Sequence, residues 1–152
     1  MAELDAVARG IIDENRYMAL GTADETGRPW VTPVYFAPDG YATFYWLSSP
    51  ERRHSRNVAV RPEVSIVVFN SQVPIGQGQA VYMAATAAEL TGDELEVGIE
   101  HFSRVSQAHG ARAWTLEEAR SPSALRLYRA IVTEHWVLDP EERPDRRTPV
   151  DP

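Results

Sequence analysis

The 152-residue chain has no cysteine and no lysine, and all 15 of its basic residues are arginine. Without cysteine there can be no disulfide, thiolate nucleophile or cysteine-type zinc site. Without lysine there is no Schiff-base amine and no P-loop lysine, which excludes lysine-anchored pyridoxal phosphate chemistry and P-loop nucleotide hydrolysis. A general bias toward arginine would give the same pattern, and the exclusion holds either way. No apolar run approaches the roughly 18–20 residues of a membrane helix, so no membrane partner is expected. Met1–Arg16 has no apolar stretch behind a basic start, so the expectation is a cytoplasmic protein without a secretory leader. The net charge of −7 lacks the basic field of a nucleic-acid binder. The four histidines, His54, His101, His109 and His135, form neither an HxH nor an HExxH pair, so no metal site is expected. A nucleophile elbow is missing, and Gly76-Gln77-Gly78 lacks the third glycine and following helix of a dinucleotide fingerprint.

What is present reads as one domain, residues 1–139, with a proline- and charge-rich tail at 140–152. Leu4, Val7, Ala8, Ile11 and Ile12 make an amphipathic stripe and predict a helix over 2–16. Strands follow at 17–23 and 29–37, joined by the turn Asp24-Glu25-Thr26-Gly27, with Pro33 suggesting an edge or a bulge. A third strand is expected at 41–47. Ser49-Pro50-Glu51 reads as a helix start, running to about Val60 before Pro62. Strands at 64–69, 79–90 and 125–138, a helix at 92–108 capped by Thr91, and the capping box Thr115–Glu118 complete the chain. About six strands linked mostly by tight turns suit an antiparallel α+β barrel.

The segment WLSSPERRHSRNVAVRP carries the chemistry. Arg52, Arg53, Arg56 and Arg61 fall within ten residues of an acidic chain, beside an expected helix N-terminus at Ser49, which favours anions. Arg53, Arg56, Asn57 and Val60 share a helical face. Ser48 and Ser49 hydroxyls with the Arg53 guanidinium could converge on one phosphate, for which arginine's planar fork is suited. A solvated arginine-rich helix is the competing reading. The aromatic strand end Tyr45-Trp46 beside the site favours a ligand with a flat ring and a phosphate.

Over residues 6–138 the chain resembles the pyridoxamine-phosphate-oxidase-like, FMN-binding split-barrel superfamily. The segments YMALGTADETGRPWVTPVYF, FYWLSSPERRHSRNVAVRPEVSIVVF and GQAVYMAATAAEL carry the resemblance. It implies a six-stranded antiparallel split β-barrel and an FMN-dependent oxidoreductase acting on a small molecule. It places Val31, Thr32, Pro33 and Val34 along the isoalloxazine ring, and Trp46, Leu47, Ser48 and Ser49 along the ribityl chain. Arg53 and His54 would grip the phosphate with help from Arg56 and Asn57. Gln79 and Trp136 would approach the ring from the other subunit of a homodimer whose sites lie at the interface. An F420 (deazaflavin) reductase is the alternative within the superfamily. A non-catalytic flavin or haem binder is another, haem needing an axial ligand such as His54 or His101. No catalytic residue is assigned. The oxidases' C-terminal signature is matched at Glu134, Trp136, Asp145 and Arg146 but broken at Glu142 and Pro144, where substrate-gripping residues belong, so pyridoxamine phosphate is not the expected substrate. A small barrel has no room inside for a tricyclic ring. Some of Tyr35, Tyr45, Trp46, Tyr82 and Trp136 should therefore face outward as an apolar contact surface.

Overall fold

The structure is a computed structural model that describes residues 2–139 and 144–152. Helix α1 (Ala2–Glu14) turns its stripe inward, with Ala8 and Ile12 fully buried. A hairpin follows, β1 (Tyr17–Ala23) and β2 (Pro29–Tyr35), then the short β3 (Ala37–Asp39) and β4 (Thr43–Ser48). Helix α2 (Arg53–Val60) leads into β5 (Glu63–Phe69) and β6 (Ala80–Glu89), and α3 (Gly92–Ala108) into β7 (Arg126–Asp139) and β8 (Arg146–Val150). The Thr115–Glu118 capping box forms in both directions around a single 3-10 turn.

All strand pairings are antiparallel, in the order β2-β1-β5-β6-β7-β4-β3, with β8 also on β7. The long β7 carries β4 on residues 126–131 and β8 on residues 135–139. Where β6 pairs β7 the register slips between Ala84 and Ala85, and Thr133 is left over and bonds the Ala84 carbonyl at 3.1 Å. Such a bulge bends the strand and adds twist, which helps the sheet to curl. The concave side is filled by α1 and by Met18, Leu20, Ile66, Phe44, Trp46 and Val81. A second apolar cluster lies between α3 and the convex side of β3, β4 and the first half of β7. There Gly98 lets Leu90, Leu127 and Tyr45 approach to where a Cβ would sit 3.0–3.1 Å away.

The architecture is the expected mainly antiparallel split barrel, with eight strands rather than six. The extra strands have local causes. Phe36 interrupts the second strand and turns its ring into the core, so Ala37–Asp39 restarts as β3 against β4. Arg146–Val150, expected in a tail, pairs with the part of β7 that β4 leaves open and buries Val150. Residues 140–143 of that tail lie outside the described residues. The helix expected to start at Ser49 starts at Arg53 instead. Ser49-Pro50-Glu51-Arg52 is a turn, with the Arg52 amide donating to the Ser49 carbonyl at 3.2 Å. Proline fits the second position of a turn as well as it fits the first of a helix.

Candidate functional site

Three regions surround the free edge of β2. The first is that edge itself. The Asp24 amide donates to Arg28 O and the Phe36 amide to Arg16 O, both in register with the β1–β2 ladder. Hydrogen-bonded and non-bonded pairs alternate in an antiparallel ladder. The bonded pairs are therefore those of Trp30, Thr32 and Val34, while Pro29, Val31, Pro33 and Tyr35 turn their main chains outward. The two prolines thus lack an N–H where β1 would not have used it. The edge between them offers the Val31 N–H flanked by carbonyls, a pattern of acceptors around one donor. The side chains of Val31 and Pro33 are exposed on the convex side, and that of Val34 is in the core.

The second region is a cavity of about 550 Å³ between the β1–β2 turn and α2, lined by Arg28, Trp30, Arg53, Arg56, Asn57 and Val60 among others. The helical face expected from the sequence is the face that lines it. Arg53 lies over the Trp30 ring, 4.2 Å from its centroid. Asn57 is buried and donates to Thr22 Oγ1 at 3.0 Å, fixing α2 on β1.

The third region is the convex face. The registers place Pro33, Ala19, Val67, Tyr82, Trp136 and Pro149 in one row across six strands, and Val31, Gly21, Ser65, Ala84 and Glu134 in the next. Small residues floor an open, largely apolar cavity of about 580 Å³, walled by Val31, Tyr82, Trp136 and Arg147. The Arg147 guanidinium sits 4.5 Å from the Tyr82 ring centroid. Gln79 lies beyond it, in a separate cavity with Asn70, Gly78 and Tyr82.

The residues expected to form one site are therefore divided. Trp46 and Leu47 do not line a common channel, because consecutive strand side chains point to opposite faces. Trp46 is fully buried, stacked on Tyr128 at 5.7 Å and 12°, and Leu47 packs in the cluster under α3. Of the aromatics expected to supply outward surface, Tyr45 is likewise buried, whereas Tyr82 and Trp136 do face out. His54 is not an outward-facing cation. It is 8% exposed, and its Nε2 shares a 2.8 Å hydrogen bond with the Ser48 hydroxyl. Sequence reasoning missed Arg28, Trp30, Arg147 and the small-residue floor. The small residues alternating in β1, Ala19 and Gly21, were a legible signal for a flat surface.

Burial, and after it the neighbouring Arg52 guanidinium, lowers the pKa of His54 below the ordinary 6.5. A histidine held neutral by the fold contributes stability above its unfolded pKa and loses it as pH falls through the depressed native value. His109 is lowered in the same direction by burial and Arg16. Urea unfolding should therefore show stability falling between about pH 7 and 5, with a shallower fall in His54→Gln. Equal slopes for the two proteins would remove His54 from this role.

A curled antiparallel sheet whose strand order ends at β2 and β3, with a helix filling its concave side, defines a split-barrel protein. The family model described as pyridoxamine 5'-phosphate oxidase matches residues 4–138, and the chain belongs to that family. No curated protein matches the sequence. Among solved structures, the chain is similar to HutZ, the heme storage protein from Vibrio cholerae, with TM-score 0.68, 21% identity and coverage of 86% of this chain and 90% of that one. A FAD-binding protein from Mesorhizobium loti has TM-score 0.67 at 20% identity, covering 87% and 91%. An F420 reductase has TM-score 0.61 at 15% identity, covering 84% and 94%. Several similar structures are longer, and this chain spans 56–60% of their length. These likenesses share the fold. Membership does not carry the oxidase substrate with it: Pro144 is exposed where the oxidases place a histidine, and Glu142 lies outside the described residues. No helix among the described residues is long and apolar enough to cross a membrane.

Proposed function

We propose that the chain is an oxidoreductase that binds a phosphate-bearing flavin, FMN being its smallest form, in sites shared by the two subunits of a homodimer. The observation that carries this reading is the adjacency of two unlike surfaces along β2. At one end stands an arginine cavity for an anion. Beside it runs an unpaired strand edge, flanked by prolines, that can hydrogen-bond the rim of a flat heterocycle. A flavin would supply hydride or electron transfer, and this chain would bind and orient it and exclude water. Ser48, Ser49, Arg53, Arg56 and Asn57 would hold the phosphate end, His54 acting by positioning Ser48. The Val31–Val34 edge would hold the ring.

The convex face supports the dimer. Gln79 and Trp136 open onto cavities separate from the one that Arg28, Arg53 and Arg56 of their own chain line. They can reach a ring bound at the β2 edge of a second copy, and a two-fold axis is the commonest way to bring two such faces together. The convex apolar cavity would then be covered rather than left in water.

Haem is the second reading, because two structural neighbours are a heme storage protein and a heme binding protein. A histidine would be one source of its axial ligand. Yet His54 Nε2 is engaged by Ser48, and His101 and His135 Nε2 by the Pro38 and Tyr41 carbonyls at 2.8 and 2.6 Å. His109 bonds the Tyr35 hydroxyl through Nδ1 at 2.7 Å, which leaves its Nε2 as the histidine nitrogen to test for haem.

The test is the visible absorbance of the purified protein, with FMN titration by fluorescence quenching and light scattering. A flavin or deazaflavin spectrum, or saturable FMN binding, in a dimer is expected. A haem Soret band, or no binding of any flavin, would overturn the cofactor reading. A monomer at micromolar concentration that still binds FMN tightly would overturn the shared site.

A further inference from the structure

We infer that a different cavity, between α2 and the end of β6, is a binding site for a small apolar zwitterion of the α-amino acid kind. Its volume is about 370 Å³, at the small end of ligand pockets. It is separate from the cavity in which a flavin phosphate would sit, and its occupant does not depend on the cofactor.

An orphaned hydroxyl is the first sign of a ligand. Ser55 lines the cavity and is 2% exposed, and its Oγ has no hydrogen-bond partner among the described residues. A serine within a helix can turn its hydroxyl to the carbonyl four residues back. For Ser55 that residue is Glu51, in the turn before α2, and no such bond forms. A buried hydroxyl left unpaired is costly, and a ligand's polar group would recover that cost. Ser55 Oγ lies beside the Tyr128 hydroxyl without a hydrogen bond between them. Tyr128, also in the lining, donates to Glu89 Oε1 at 3.5 Å, the outer limit of such a bond. Both hydroxyls therefore have capacity left.

The second sign is a pair of opposite charges that does not close. Arg56 and Glu89 both line the cavity and are exposed, and neither forms a salt bridge among the described residues. Unlike charges held apart on one cavity suit a molecule that carries both. Its carboxylate would take the planar fork of Arg56, and its ammonium would take Glu89. A plain carboxylate would meet Glu89 as a like charge, and a plain amine would meet Arg56, so each is disfavoured. The other lining side chains, among them Pro50, Val58, Pro62 and Ala87, are apolar. The Ala87 amide donates to the Pro62 carbonyl at 2.8 Å, which holds β6 against the chain that leaves α2. The part of the ligand beyond its charged head is therefore aliphatic or aromatic.

The probes are L-leucine and L-phenylalanine, with isocaproate and isoamylamine as relatives of leucine that keep one charge each. They are titrated into the full-length protein by calorimetry. Saturable binding of leucine or phenylalanine is expected, with leucine at least about tenfold tighter than either relative. Ser55→Ala should leave the ligand-free protein as stable in urea as wild type or more so, because it deletes a hydroxyl without a partner and alanine favours the helix. It should weaken amino acid binding about tenfold. Glu89→Gln, an exposed change that decides the matter even if Ser55→Ala does not fold, should weaken leucine about tenfold and leave isocaproate within about twofold. Binding of neither amino acid, or equal binding of leucine and its two relatives, would overturn the site. So would a Ser55→Ala protein that loses stability and keeps its leucine affinity, since the hydroxyl would then serve the fold alone, through a buried water.

Discussion

Replacing Trp46 with alanine is expected to cost about 3–5 kcal/mol of folding stability, the range for removing a large aromatic from a packed core. A domain of this size has about 5–15 kcal/mol in all, so the variant should unfold early in urea or fail to accumulate. The cause is local. Trp46 is fully buried on β4, opposite Tyr128 in the β4–β7 ladder and stacked on its ring. Its Nε1 has no hydrogen-bond partner among the described residues. Trp46→Phe keeps an aromatic at the stack and removes that orphaned donor, so it should cost much less than alanine. Urea unfolding of the cofactor-free protein measures both. An alanine variant as stable as wild type that had lost flavin affinity would return Trp46 to the ribityl channel.

Trp46 also shows where the sequence stopped being informative. Its neighbours Ser48, Ser49 and the arginines pointed to an anion site, and adjacency in the chain drew the aromatic into it. Strand alternation decides otherwise, and parity cannot be assigned until the curl fixes which face is inside. Local rules worked where one element sufficed. The α1 stripe, the β1–β2 hairpin, the Thr115–Glu118 box and the Arg53-Arg56-Asn57-Val60 face are each set by residues within a few positions of one another. What failed depended on distant partners. β8 exists because β4 covers only half of β7, which no local pattern in Arg146–Val150 reveals. Arg28 joins the arginine cavity because the hairpin tip returns to the end of α2 through Arg61, a contact between residues 36 and 37 positions apart. The convex floor of Ala19, Gly21, Ser65 and Ala84 comes from three strands in register. Ser49-Pro50 failed for another reason: it satisfies two local rules at once, and the structure takes the turn.

Replacing Arg53 with alanine is expected to weaken flavin binding by about 1.5–3 kcal/mol, the scale of a hydrogen bond to a charged group. That is roughly a ten- to hundredfold loss of affinity. Arg53 opens α2 immediately after the Ser49–Arg52 turn and lines the arginine cavity. Trp30 holds it from below, which reduces the conformational freedom that a bound phosphate would have to remove. Two further variants separate charge from geometry. Arg53→Lys keeps the charge but loses the planar fork and the stacking, so it should recover only part of the affinity. Trp30→Ala leaves the arginine in place but frees it, and should give a smaller loss than Arg53→Ala. Because the contact is ionic, wild-type affinity should fall as salt rises, and the fall should be shallower in Arg53→Ala. FMN titration at two ionic strengths reads all of these. Equal affinity and equal salt dependence in wild type and Arg53→Ala would move the phosphate away from α2 and leave the arginine-rich helix a solvated face.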